Sequence, residues 1–280
     1  MTTWHGILLG LVQGLTEFLP VSSSAHLVAA QRLLDVQPPG VLLEVALHAG
    51  TLAAILLVLW REVATLARDG LRGTLLYARG AGRAAVAEKA PLFGTAAAVL
   101  VGTVPAALAG LLAEGAISRL FDSVTVAGAF LCCTGAMLLV SRWVPAGTAE
   151  RVSVGRGLVI GLAQAAALLP GISRSGATIV AGRMTGLDRR TAGRFSFLLA
   201  VPALAGAATW ELIRALPVEP ADGEPLIRTG ALATGVLVSA LVGAIALLVL
   251  LRIIERGRLH WFAAYCLPAG VAMMLTGLLG

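Results

Sequence analysis

Six apolar runs, near 41–60, 91–113, 124–142, 190–210, 228–251 and 260–279, decide what this chain can become. Each is about 20 residues long, the length that crosses a hydrocarbon core of about 30 Å as an α-helix. A water-soluble core has no use for so much apolar sequence. Of the 280 residues 58% are hydrophobic and 13% charged, against about 25% charged in soluble domains. A membrane β-barrel would need repeated alternating strands of about ten residues, and the sequence shows none. The fold class is therefore an all-α polytopic membrane protein with six full transmembrane helices.

The basic residues set the topology. Arg61, Arg68, Arg72, Arg79, Arg83 and Lys89 follow the first run, and Arg142, Arg151 and Arg156 follow the third. Arg183, Arg189, Arg190 and Arg194 precede the fourth, and Arg252, Arg256 and Arg258 precede the sixth. The other connections hold Arg119, Arg214 and Arg228 among Glu114, Asp122, Glu211, Glu219, Asp222 and Glu224. The positive-inside rule puts the first group in the cytoplasm, and the assignment alternates across all six runs, with Arg32 as the main exception. This distribution accounts for the net charge of +6 without a nucleic-acid partner. Residues 61–90 form either an amphipathic helix on the inner surface or a solvated basic loop. Trp4, Trp60, Trp143, Trp210 and Trp261 fall near span or hairpin ends, as an interfacial belt requires, and His5 and His260 sit at the same borders. Cys132, Cys133 and Cys266 lie in apolar runs without metal or disulfide spacing and read as small buried hydrophobes. The N-terminus lacks a basic n-region and Glu17 interrupts its apolar run, so it does not read as a signal peptide.

Two further apolar stretches, 5–34 and 155–186, are broken near their centres by Pro followed by Ser and Gly or Ala. Each half is too short to span. Such segments read as re-entrant hairpins of two half-helices, which are tolerated where irregular backbone is buried in protein or lines a cavity. They also resemble each other. Gly6-Ile-Leu-Leu-Gly10-Leu-Val-Gln13 matches Gly157-Leu-Val-Ile-Gly161-Leu-Ala-Gln164, and Pro20-Val-Ser-Ser-Ser matches Pro170-Gly-Ile-Ser-Arg after a one-residue gap. Three spans separate the copies, so the second is inverted. Residues 1–280 then form one membrane domain of two repeats, about 1–145 and about 150–280. The hairpins enter from opposite faces and their tips meet near the midplane, an arrangement familiar from transporters.

The polar residues gather at these tips. In the first, Pro20 breaks the helix, Ser22, Ser23 and Ser24 surround the next start, and Gln13 and Glu17 share one helical face. Glu17 can hold a divalent cation or act as a base. Ser23 with His26 suits nucleophilic attack with acid–base help, although a lone membrane His is also a common structural hydrogen-bonder. Thr16 and Ser24 read more simply as caps or back-bonders. In the second tip, Gly171 frees the turn, Ser173 or Ser175 caps the following half-helix, and Thr178 lies one turn on. That helix start is a natural anion site. Arg174 adds a planar fork suited to phosphate oxygens; pairing of Arg174 with Glu17 is the plainer alternative, and the two are compatible. Glu44 and His48, four apart on the first span, form a secondary polar pair that reads as an interhelical contact.

Gln13-Gly-Leu-Thr-Glu-Phe-Leu-Pro-Val-Ser-Ser-Ser-Ala-His26 and Pro170-Gly-Ile-Ser-Arg-Ser-Gly-Ala-Thr178 resemble the two signature motifs of the bacterial undecaprenyl-diphosphate phosphatase family, also known for bacitracin resistance. Phe195-Ser-Phe-Leu-Leu-Ala-Val-Pro-Ala203 looks like a further family segment. The resemblance covers essentially the whole chain. It implies hydrolysis of undecaprenyl diphosphate to undecaprenyl phosphate and phosphate in the bacterial inner membrane, which recycles the lipid carrier for cell-wall synthesis. By resemblance, Glu17, Ser23, His26 and Arg174 are catalytic, with Ser23 or His26 as nucleophile. Ser22, Ser24, Ser173, Arg174, Ser175 and Thr178 surround the diphosphate, Glu17 meets the metal and Gln13 supports it. Mg2+ or Ca2+ is the implied cofactor. Gln13 stands where the family accepts Glu or Gln, and Ala25 where it usually has Gly. The resemblance favours a site open to the outer, periplasmic side and keeps a homodimer open. The competing function is a polyprenyl-phosphate flippase or transporter, because inverted repeats and broken helices are its architecture.

Overall fold

The computed structural model describes residues 2–34, 40–121, 123–215 and 229–279. Twelve α-helices run through these residues: α1 (Thr3–Phe18), α2 (Ser23–Leu33), α3 (Gly40–Val58), α4 (Trp60–Ala78), α5 (Arg83–Lys89), α6 (Phe93–Phe121), α7 (Val124–Val140), α8 (Val154–Ala166), α9 (Arg174–Met184), α10 (Arg189–Ala215), α11 (Thr229–Glu255) and α12 (Ala263–Leu279). Asp122 and 216–228, with the expected outer charges Glu219, Asp222, Glu224 and Arg228, lie outside the described residues. So do the side chains of Glu44, Glu211 and Arg214, and with them the expected Glu44–His48 pair.

Five helical segments are long and apolar enough to cross a membrane: 93–121, 124–143, 189–210, 230–255 and 259–277. A sixth is the bent pair α3–α4, whose halves meet at 83° beyond Val58. The bend has a sequence cause. Val58 ends the apolar run, and α4 opens on Trp60, Arg61 and Glu62 and carries a charged face against an apolar one. The stretch 61–90 is therefore largely helical, which answers the choice between helix and loop. Leu237, Leu241, Ile245 and Leu248 make an exposed apolar face on α11, and Leu100, Val104, Leu108 and Leu112 one on α6. In water these faces would be costly; they suit lipid. All five tryptophans are exposed.

Both broken stretches are broken where the prolines stand. α1 stops at Phe18 and α2 starts at Ser23; α8 stops at Ala166 and α9 starts at Arg174. The halves of the chain pack reciprocally: α1 lies along α11 while α8 lies along α6, and α3 meets α10 while α7 meets α12. The close contacts rest on small residues. A Cβ on Gly10 would sit 2.6 Å from the Gly235 carbonyl oxygen, and one on Gly102 would sit 2.6 Å from that of Gly157. Glycine lets the backbones approach, and van der Waals packing between such faces is the main attraction between helices in lipid.

The four basic connections lie together at one end. Arg194 pairs with Glu62, Arg190 with Glu255 at 3.7 Å, and the Ala149 backbone bonds to that of Gly186 and Asp188. Arg183, counted as a loop charge, is instead the buried last turn of α9. It donates to the carbonyls of Ser141 (3.0 Å) and Val144 (2.7 Å) and ties the ends of α7 and α9 together. The main core lies between this end and the two breaks. It contains Phe18, Ile55, Leu131, Ile179, Phe197 and Leu250, with Phe18 edge-on to Phe197 at 5.8 Å.

Candidate active site

The two breaks meet. The Gly171 N–H donates to Ser24 Oγ at 3.4 Å, and Pro20 lies against Gly176. Each break is held from outside its own hairpin. Thr134, fully buried on α7, donates to the Gly171 carbonyl (2.8 Å) and accepts from the Ser173 N–H (3.0 Å). On α12, Cys266 donates through sulfur to the Pro20 carbonyl at 3.4 Å. These partners satisfy backbone groups that a helix break otherwise strands in an apolar interior. Gly171 has φ 101°, and a Cβ there would strike the Ala127 carbonyl; both facts require glycine.

Glu17 is the hub of the site. Its Oε1 accepts from Arg174 Nη2 at 2.6 Å. Its Oε2 accepts from Ser23 Oγ at 2.6 Å and from Gln13 Nε2 at 3.0 Å, with His48 Nε2 at 3.7 Å. Glu17 is 7% exposed. Such a buried charge persists only when paired and hydrogen-bonded, and here it has both. Arg174 spends one arm of its fork on this pairing. Its Nη1 is buried and has no partner, so it remains a donor for an anion.

The pair lines a cavity of about 310 Å³. Ser22, Ser23, Ser24, Ser173, His48 and Gln164 line it too, together with apolar side chains that include Leu27, Val28, Val45, Phe121, Leu204 and Ala208. Ser173 caps α9 by accepting from the Gly176 N–H at 3.1 Å, so α9 starts at the cavity wall with its positive dipole end. Ser22 caps α2 from φ 68°, a left-handed conformation uncommon for serine. Backbone strain of this kind is found at functional turns.

The structure does not gather every expected residue here. Ser175 and Thr178 are buried behind the wall. Ser175 bonds Ser173 Oγ at 3.2 Å, and Thr178 shares a 2.6 Å hydrogen bond with Ser196 on α10. Thr16 lines the cavity but donates back to the Val12 carbonyl at 2.6 Å. His26 points elsewhere. Its Nδ1 meets the Ser22 carbonyl at 2.7 Å, and its Nε2 meets the Tyr265 hydroxyl at 2.6 Å. A carbonyl only accepts, so Nδ1 carries the proton and Nε2 of the neutral ring accepts from Tyr265. Both nitrogens are thus engaged away from Ser23. His48, Gln164 and Thr134 join the site without having been singled out as site residues. Gln164 alone had a signal, as the counterpart of Gln13 in the repeat; His48 read as an interhelical contact, and Thr134 is one threonine in an apolar run.

A guanidinium with one arm uncommitted, a carboxylate and hydroxyls beside apolar side chains define a class: an integral membrane protein with a polar cavity among its helices. The family profile described as "Bacitracin resistance protein BacA" matches residues 6–272, and the chain belongs to that family. It is 41% identical over 275 residues to an undecaprenyl-diphosphatase of Rhodopirellula baltica, covering 97% of each chain. It is 38% identical over 281 residues to one of Desulforapulum autotrophicum, covering 99% of each. A relative of the same name from Korarchaeum cryptofilum is 40% identical over 270 residues, 96% of this chain and 97% of that one.

Proposed function

We propose that this protein is a membrane phosphatase that hydrolyses undecaprenyl diphosphate to undecaprenyl phosphate and inorganic phosphate. The observation that carries the proposal is the Glu17–Arg174 pair, with Ser23 on the same carboxylate and Arg174 Nη1 uncommitted. The name shared by the relatives supplies the substrate. The apolar side chains in the cavity lining suit the first prenyl units of such a lipid.

The geometry supports a sequence of steps. Arg174 and the start of α9 hold the oxygens of the terminal phosphate. Ser23 Oγ attacks the terminal phosphorus as its proton passes to Glu17 Oε2. The bond from phosphorus to the bridging oxygen breaks, and undecaprenyl phosphate leaves with the electron pair. Water then attacks the phosphorylated Ser23. Glu17 returns its proton to the departing Ser23 oxygen, and both protons of the water leave with the phosphate or pass from it to solvent. His26 serves in this scheme as a positioning residue that fixes the Ser22 turn through its carbonyl. That assignment favours Ser23 over His26 as nucleophile, because neither imidazole nitrogen faces the cavity.

A divalent cation fits the site as an ion shared with the substrate. Among the described residues no group of three or more His, Cys, Asp or Glu side chains could hold one alone. Mg2+ commonly takes one or two carboxylates together with substrate phosphates. Glu17 is such a carboxylate, and Gln13 Oε1 beside it is buried without a partner. Held by these two residues, Mg2+ or Ca2+ would neutralise charge developing on the phosphate oxygens.

The reading extends to orientation. The cavity is lined by Val45 and His48 in the first half of α3, Ala106 at the middle and Phe121 at the end of α6, and Ala203, Leu204, Ala207 and Ala208 in the second half of α10. The lining thus runs from the middle of these helices towards the ends away from the clustered basic connections. With those connections in the cytoplasm, the site opens to the outer face of the bacterial inner membrane.

Phosphate release from undecaprenyl diphosphate by the purified protein tests the function. Wild type releases phosphate, and Arg174→Ala loses roughly 10²-fold or more. Movement of the lipid between leaflets without phosphate release would overturn hydrolysis in favour of a carrier.

A further inference from the structure

Gln164 is the most conspicuous polar side chain that this mechanism leaves unused. It is 3% exposed on α8, and both Nε2 and Oε1 are buried without a hydrogen-bond partner. It nevertheless lines the cavity together with Glu17, Ser23 and Arg174. A buried amide that makes none of its hydrogen bonds is destabilising. Ala167 and Leu168, which line the same cavity, bring no polar side chain to it.

Comparison of the two breaks shows why it is unmatched. In the first, Gln13 is followed four residues later by Glu17, one turn on, and its Nε2 donates to that carboxylate at 3.0 Å. In the second, the residue four after Gln164 is Leu168. The matching glutamine therefore keeps its place and depth but has no carboxylate to bind. Of the two matching glutamines, one has its amide bound to Glu17, and the other lies in the cavity wall with its amide unbonded.

We propose that Gln164 is a substrate-binding residue whose Nε2 donates to a phosphate oxygen of the bound lipid diphosphate, opposite the Arg174 fork. An ionised diphosphate offers only acceptors, and the amide brings two N–H donors without adding a second full positive charge that would hold the product phosphate. This assignment rests on the diphosphatase reading above and deepens it.

The test uses the full chain in detergent with Gln164→Leu and Gln164→Glu. Leucine keeps the volume, removes the polar atoms and matches its apolar neighbours. The expected result is a Tm equal to or above wild type without ligand, and a KM for undecaprenyl diphosphate raised about tenfold with kcat changed far less. Glutamate places a carboxylate against the diphosphate, so its KM rises further than that of leucine. A structural amide behaves oppositely: Gln164→Leu lowers Tm and leaves KM alone, which overturns the proposal. A second arm measures the rise in Tm caused by inorganic diphosphate. Wild type shows the rise and Gln164→Leu loses most of it. If wild type releases no phosphate yet shows this difference, the hydrolase reading fails and the binding role of Gln164 stands. Equal rises in both proteins, or none in wild type, overturn the binding role.

Discussion

Glu17 and Arg174 lie 157 positions apart in the chain and 2.6 Å apart in space. Each makes the other's burial tolerable, and between them they fix where the two broken helices touch. Arg174→Lys keeps the charge and discards the planar fork, so one ammonium would have to serve Glu17 and the substrate together. The expected loss in kcat/KM is roughly 10²-fold, read from phosphate release. Near-native turnover would remove Arg174 from the chemistry.

The contrast between Ser23 and His26 predicts which residue is phosphorylated. Rapid acid quench during turnover should trap acid-stable phosphate on Ser23, and Ser23→Ala should abolish it. Tyr265→Phe removes only the hydrogen bond to His26 Nε2 and should cost less than about tenfold in kcat, the order of one neutral hydrogen bond. An acid-labile label on His26 would reverse the assignment.

Thr134 is the internal clamp of the second break. Thr134→Val is nearly isosteric, yet it strands the Gly171 carbonyl and the Ser173 N–H. At about 1–3 kcal/mol for each of these two buried unsatisfied groups, unfolding in denaturant should show a loss of roughly 2–6 kcal/mol. Activity should fall as well, because Ser173 caps the helix that carries Arg174. An unchanged unfolding midpoint would mean that the break holds itself.

Helix approach makes a purely steric prediction. On Gly161 a Cβ would strike the carbonyl of Gly102, whereas on Gly155, in the same helix, it would meet nothing within 4 Å. Gly161→Ala should lower thermal stability by about 1–3 kcal/mol or prevent assembly, while Gly155→Ala should melt like wild type. Equal melting of the two variants would show that α6 and α8 can separate at little cost.

Much of this was legible beforehand because lipid punishes ambiguity. Apolar length placed the spans, and proline with small residues placed both breaks. The basic connections expected on one side do gather at one end. The pairing of Glu17 with Arg174 was readable as the plainer fate of two charges in oil. Other features were not readable. The helical character of 61–90 is carried by its amphipathic pattern, but the 83° turn from α3 into α4 is decided by where charges begin. His26 follows Ser23 by three residues, yet spacing along a helix does not say which neighbour a ring will choose, and Tyr265 comes from 239 positions away. Ser175 and Thr178 belong to the second motif but are used for packing behind the wall.

By itself, then, the sequence determined the membrane class, the two interruptions and the residue types that meet at them, because each follows from the cost of placing polar groups and broken backbone in hydrocarbon. Only the tertiary structure decided which atoms face the cavity. Ser23 turns towards Glu17 and His26 turns away; Thr134 locks a turn 37 positions downstream; Gln13 finds a carboxylate and Gln164 does not. Those outcomes depend on hydrogen bonds between distant segments, and their geometry exists only once the helices have packed.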